Sequence, residues 1–213
     1  MDYRDLVGTE QADPGEMLRE AEEDTLYRKK LLERGPDPDK VYTIEDFRQL
    51  PEGFRAELVD GKLFFMESPS TLHQEIVGEL YFAVAGFVKS NGGSCRPFIA
   101  PYDVYLNGDE SRILEPDLIV VCEPDKIREH GCCGAPDWVV EVTSPSTRKR
   151  DLGQKLFLYR EAGVREYWLI NPTNRVVIVY VFELGEDAAF YSFEDEIRGH
   201  VFPAFRIRLS DVV

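Results

Sequence analysis

No stretch of the 213 residues approaches the ~18 consecutive apolar residues that a membrane-spanning helix requires. Residues 1–13 are polar and acidic without an apolar segment, so no secretory leader is expected. Cysteine is sparse. Cys95, Cys122, Cys132 and Cys133 form no CxxC pair, and adjacent Cys132 and Cys133 read as free thiols rather than metal ligands. A reducing cytoplasm is the expected setting. The chain has neither a GxxxxGK[ST] phosphate loop nor a GxGxxG fingerprint, which excludes nucleotide-dependent motors and simple dehydrogenases. Ser144 and Ser146 flank Pro145 without a GxSxG context, so nucleophilic serine catalysis has no support. Positive charge is in deficit. A formal net charge of −15 argues against a protein that coats nucleic acid without specificity.

What is present suits one main domain with an extension. Residues 1–40 are charge-dense, with twelve acids against seven bases. Within them, 16–33 has a thin apolar stripe at Leu18, Leu26 and Leu31/Leu32, and Gly35-Pro36-Asp37-Pro38 ends it. This is read as an appended acidic helix or arm, dispensable for the fold. The domain proper spans 41–213. Thr43 followed by Glu45 and Asp46 predicts a capped short helix. Two apolar arms around Asp60-Gly61 predict a hairpin over 57–65. Leu72, Ile76, Leu80, Val84 and Phe87/Val88 predict a helix over 70–90, closed by Asn91-Gly92-Gly93. Strands are expected at 95–100, 102–106, 117–122 and 137–143. A basic helix follows over 148–162, then strands at 166–170, 175–184 and 201–209. The order predicts an α/β domain with one mixed central sheet flanked by helices.

The chemistry concentrates in two acids beside buried apolar runs. Asp117 follows a turn-forming proline and precedes Leu118-Ile119-Val120-Val121; Glu141 interrupts Trp138-Val139-Val140 and Val142. A carboxylate there is costly to bury unless it is paired, protonated or bound to a cation. Mg²⁺ or Mn²⁺ needs only one or two protein carboxylates when a phosphate supplies further oxygens. Asp117 and Glu141 are therefore the expected metal ligands. Lys155, fourteen residues after Glu141, is a candidate to stabilise developing negative charge. Its rival role is an ordinary i,i+4 ion pair with Asp151. Arg148, Lys149 and Arg150 should fan outward from the first helical turn. Glu57, opening the hairpin, is either a third carboxylate of the site or a surface acid on an edge strand. His73 stands beside the apolar stripe of its helix and is a candidate to flank a phosphate. Asp103 and Arg112 are weaker candidates, and His130 and His200 receive no role.

These residues, in order, resemble the Uma family of endonucleases with the restriction-endonuclease-like PD-(D/E)XK fold. The resemblance is carried by Tyr42-Thr43-Ile44-Glu45-Asp46-Phe47, Glu57-Leu58-Val59-Asp60-Gly61, His73 and Glu115-Pro116-Asp117-Leu118. It continues through Glu141-Val142-Thr143-Ser144-Pro145-Ser146-Thr147, Asp151, Lys155, Tyr159 and Gly163 to Pro172. It implies that Asp117 is the motif's aspartate and Glu141 its second acid, with Glu57 and His73 in the same cluster. The motif's lysine position is Thr143 here, and similar family members shift that lysine to the next helix, at Lys155. The resemblance implies nuclease chemistry, and the leading expectation is a Mg²⁺- or Mn²⁺-dependent endonuclease acting on DNA as a homodimer, without membrane association. The alternative is a catalytically inactive nuclease fold serving as a binding or regulatory module.

Overall fold

The computed structural model describes residues 35–51, 53–185 and 187–213. The expected helix at 16–33 lies outside them. A short helix α1 (Ile44–Arg48) begins with a reciprocal capping box, in which Thr43 and Asp46 each accept the other's backbone N–H. Strands β1 (Ala56–Val59) and β2 (Lys62–Phe65) form the predicted hairpin. Asp60 and Gly61 both adopt positive φ, the requirement of the tight type I′ turn. Helix α2 (Thr71–Asn91) is capped by Ser70, whose side chain accepts the backbone N–H of His73.

The strands that follow are β3 (Arg96–Ile99), β4 (Val104–Tyr105), β5 (Arg112–Leu114), β6 (Leu118–Val121), β7 (Ile127–Arg128), β8 (Gly131–Cys133) and β9 (Trp138–Val142). Strands β10 (Glu166–Asn171), β11 (Val176–Val181) and β12 (Ala189–Ser192) come after the basic helical segment. The terminal β segment reduces to a two-stranded pair, β13 (Ile197–Arg198) with β14 (Arg206–Ile207).

The single expected sheet is two. One has the order β2-β1-β5-β4-β8-β7 and the other β12-β11-β10-β9-β6-β3. The sequence concealed this because β5, β7 and β8 are only two or three residues long and carry no measurable alternation. Both sheets are mixed, with one parallel pair each, β9 with β10 and β4 with β8.

Alternation along β6 and β9 divides the interior into two cores. Leu118, Val120, Trp138, Val140 and Val142 face α2, packing with Ile76, Leu80 and Val84. Ile119, Val121 and Val139 face the other way, toward Leu158, Tyr159, Tyr167 and Leu169. Glu141 shares the parity of Val139 and so turns toward this second core. A third cluster, of Ile44, Leu58, Leu63 and Ile113, seats α1 on the hairpin.

The basic segment is not one regular helix. It runs as α3 (Arg148–Arg150), a π turn (Asp151–Lys155) and α4 (Leu156–Ala162), ended by Gly163 in the left-handed region. Single π turns insert an extra residue into a helix and recur at functional sites. Here the turn begins at buried Asp151 and ends at buried Lys155.

Cys132 and Cys133 are free thiols, while Cys95 and Cys122 form a disulfide that the spacing did not suggest. Its cause is register: Arg96 pairs with Val121, which brings the flanking Cys95 and Cys122 opposite one another.

The Ser70 cap sets where α2 starts and hence where His73 stands. Ser70→Ala should lower the unfolding free energy by about 1 kcal/mol, with Ser70→Asn restoring most of it, as read by urea denaturation.

Candidate active site

Five segments converge on one buried cluster: β1, the first turn of α2, the turn before β6, the end of β9, and the π turn. Leu118 pairs with Val140, and continuing that antiparallel register places Asp117 opposite Glu141. The Asp117 carboxylate reaches across, its Oδ2 accepting the backbone N–H of Val142 at 2.7 Å. His73 approaches the same oxygen from the first turn of α2, with Nε2 at 3.2 Å.

Lys155 is the centre of the cluster. Its Nζ lies 2.8 Å from Glu141 Oε1, 2.9 Å from Glu57 Oε1 and 3.8 Å from Asp151 Oδ1. The i,i+4 contact with Asp151 is thus the longest of three. Tyr159, one helical turn further on, donates its hydroxyl to Glu141 Oε1 at 2.7 Å. Glu57 is not an edge-strand surface acid, because β1 lies between β2 and β5 and the residue is 1% exposed. Its Oε1 also accepts the backbone N–H of Glu115, itself paired with Arg55.

Arg150 does not fan outward. Its guanidinium lies 3.8 Å over the Phe64 ring, and Nη2 comes to 2.5 Å from Glu57 Oε2. Those two atoms lack the angles of a hydrogen bond, so the contact is one of charge. The buried anion at Glu57, invisible from local sequence, draws Arg150 inward.

The electrostatics leave the site short of positive charge. Burial opposes ionisation of Glu57, but Lys155 and Arg150 outweigh it and hold its carboxyl below the usual range. Glu141 goes the other way. Burial, against the attraction of Lys155 and together with Asp117, Asp151 and Glu57, pushes its carboxyl up to about 8. Burial also raises Asp151 despite Lys155. Burial works against the charged form of Lys155, yet its three carboxylate neighbours keep it protonated far above neutral pH. His73 follows the same pattern: burial lowers its imidazole, and the bond and charge of Asp117 raise it on balance.

The donor set fits a hard divalent cation in two respects. Lys155 and Tyr159 both address Oε1 of Glu141, and Val142 and His73 both address Oδ2 of Asp117. Glu141 Oε2 and Asp117 Oδ1 are left without a hydrogen-bond partner among the described residues. Among the described residues, Lys155 and Arg150 are also the only permanent cations paired with Glu57, Glu141 and Asp151, and Asp117 pairs only with His73. Among the described residues no group of three or more His, Cys, Asp or Glu side chains assembles as a ligand set. A carboxylate pair is enough for Mg²⁺ when solvent and phosphate complete the shell.

Of the residues singled out by sequence, Asp117, Glu141, Lys155, Glu57 and His73 all gather here. Arg112 does not; it pairs with Asp60 and Glu161 at the surface. Asp103 lines a separate cleft with Tyr102 and His130. Sequence reasoning gave no site role to Tyr159, although its i,i+4 spacing from Lys155 puts both on one helix face. It also missed Arg150.

The two mixed sheets, the acid pair and the helix-borne lysine define a restriction-endonuclease-like protein. The chain belongs to the Uma2 family, described as "putative restriction endonuclease", whose profile matches residues 44–210. It is similar to a crystal structure from Anabaena variabilis described as a "putative nuclease belonging to DUF820". That match has a TM-score of 0.65 and 22% identity, and covers 80% of this chain and 96% of that one. An uncharacterised protein of Synechocystis sp., slr1290, is 27% identical over 139 residues, which cover 64% of this chain and 72% of the relative.

Lys155 is buried against three carboxylates, so removing it strands them. Lys155→Ala should cost about 3–5 kcal/mol in denaturant unfolding, well above the ~0.3–0.5 kcal/mol of an exposed helical pair. Glu141 predicts a pH dependence. Its folded pKa exceeds its unfolded one, so its contribution is fully present below about pH 4.5 and is lost as pH rises through about 8. The metal-free parent should therefore lose stability relative to Glu141→Gln between pH 5 and pH 8. Urea melts of both proteins at the two pH values read the difference.

Proposed function

We propose that the chain is a divalent-metal-dependent endonuclease that hydrolyses phosphodiester bonds of DNA. The observation that carries this reading is the meeting of Asp117, Glu141 and Lys155, from three separate segments, around two carboxylate oxygens without partners. Asp117 and Glu141 would hold Mg²⁺ or Mn²⁺. A cation bound there would polarise the scissile phosphoryl group and lower the pKa of a bound water.

The chain's own groups prepare that chemistry. Lys155 stays protonated, so it acts as a fixed positive charge toward a phosphoryl oxygen and not as a base. Glu57 and Glu141 hold its ammonium from two sides, which limits reorganisation when charge develops. Tyr159 restrains Glu141 Oε1 and so orients the carboxylate. His73 orients Asp117. Thr143, in the usual lysine position, is neutral; it shares Glu141's face of the sheet. One such site cuts one strand, so we include a homodimer in the proposal for duplex substrates. Among the described residues no helix is long and apolar enough to cross a membrane.

A catalytically idle, binding-only role is favoured by one observation: Glu141 Oε1 is already taken by Lys155 and Tyr159. The two readings separate in a cleavage assay with Mg²⁺, Mn²⁺ or EDTA on duplex, single-stranded and branched DNA. The nuclease reading expects metal-dependent cutting, reduced roughly 100-fold or more in Glu141→Gln and Lys155→Met. It also expects Mn²⁺ binding by calorimetry that Asp117→Asn removes. Placing lysine at 143 in the Lys155→Met protein should restore part of the rate. Equal cleavage by parent and Lys155→Met, with both folded by circular dichroism, would overturn the role of Lys155.

A further inference from the structure

Beside the acid cluster, on Glu141's face of the second sheet, lies a cavity of about 160 Å³. Its position follows from register. Glu141 pairs with Leu169, Leu169 with Ile178, and Ile178 with Phe190, so one transverse row runs from the candidate active site to β12. Leu169 and Ile178 form the apolar floor, and Phe190 stands at the far end with 70% of its surface exposed. Adjacent strands lie ~4.8 Å apart, so three steps place Phe190 roughly 14 Å from Glu141 along the row.

The rim is polar. Asn171 Oδ1 accepts the backbone N–H of Asn174, which leaves the Asn171 amide nitrogen and the whole Asn174 side-chain amide without partners among the described residues. Arg148 forms the wall from α3, and its guanidinium makes no ion pair with any described residue. Thr143, two positions beyond Glu141, closes the side nearest the acids.

An exposed aromatic face, free amides, a free guanidinium and an apolar floor are the elements that bind a nucleobase. The ring stacks, the amides meet the base edge, and the cation meets the adjoining phosphate. The volume is well below the roughly 300–1,000 Å³ of sites that enclose drug-sized ligands, which suits one planar ring system. A base within a duplex cannot enter without leaving its stack.

We propose that this cavity holds one unstacked base of the strand being cut, a step or two along the backbone from the scissile phosphate. The preferred substrate is then single-stranded or locally unpaired nucleic acid. This inference rests on the nuclease reading and specifies its substrate. Phe190 is the stacking platform, and Arg148 holds the phosphate beside it.

The test is fluorescence anisotropy of the intact protein in EDTA, with a labelled 20-nucleotide single strand, the matched duplex, and a duplex carrying a central three-base bulge. The parent should bind the single strand and the bulge at least tenfold more tightly than the duplex. Phe190→Ala should weaken single-strand and bulge binding by at least fivefold and leave duplex binding and thermal melting unchanged. Phe190→Trp should retain binding. Equal affinity of parent and Phe190→Ala for the single strand overturns the proposal, as does a change confined to oligomeric mass by light scattering. Metal-dependent cleavage by a parent that shows no Phe190 effect would leave the nuclease reading standing and remove the base pocket alone. A parent that neither binds nor cleaves any of the three substrates would remove both.

Discussion

A buried lysine shared among three carboxylates is the constraint on which the candidate site depends. Taking charges out of water costs several kcal/mol per ion unless close opposite charges offset it. Glu57, Glu141 and Asp151 are each nearly inaccessible, and so is Lys155. None would be tolerable there alone. Lys155 makes Glu57 comfortable as an anion, but one ammonium cannot serve all its neighbours, and Glu141 is held toward its protonated form. The cluster is stable and still short of positive charge. That residual demand is the physical basis of the proposed binding of a cation and a phosphate.

Several architectural details serve this one cluster. The antiparallel pairing of β6 with β9 sets Asp117 opposite Glu141. The parity of β9 turns Glu141 away from α2 and toward the helical segment after it. The π turn then brings both of its ends inward, Asp151 at the start and Lys155 at the end, with Tyr159 one turn beyond. Glu57 arrives from the other sheet, so the cluster also ties the two sheets together. The same face of the second sheet, continued across β10 and β11, carries the cavity that ends at Phe190. Acid site and cavity are neighbours because both are built on one row of cross-strand pairs.

Much of this was legible along the chain, for identifiable reasons. The hairpin at Asp60-Gly61, the capped helix from Ser70 and the apolar runs around Asp117 and Glu141 are local signals, set by turn chemistry, capping and side-chain period. Asp117, Glu141 and Glu57 stood out because an acid beside an apolar run is anomalous wherever it occurs, and His73 and Lys155 because of their spacing and an order of motifs that resembled a known family. Less legible were the very short strands β5, β7 and β8, too brief for alternation to show. The π turn carries no signature that separates it from ordinary helix.

By itself, then, the sequence determined the main helices and longer strands, the strand-end acids and the presence of a lysine on the following helical segment, since each follows from interactions within a few residues. Only the tertiary structure decided what those groups do to one another. That Lys155 lies closer to Glu141 and Glu57 than to Asp151 depended on a π turn set beside β9. Whether Glu57 was a surface acid or a buried partner depended on β1 lying inside its sheet rather than at an edge. Arg150, read locally as one of three outward bases, was turned inward by an anion more than ninety residues earlier in the chain. Long-range electrostatics in a low-dielectric interior are strong because water is absent, and which groups lose their water is a property of the fold and not of any segment.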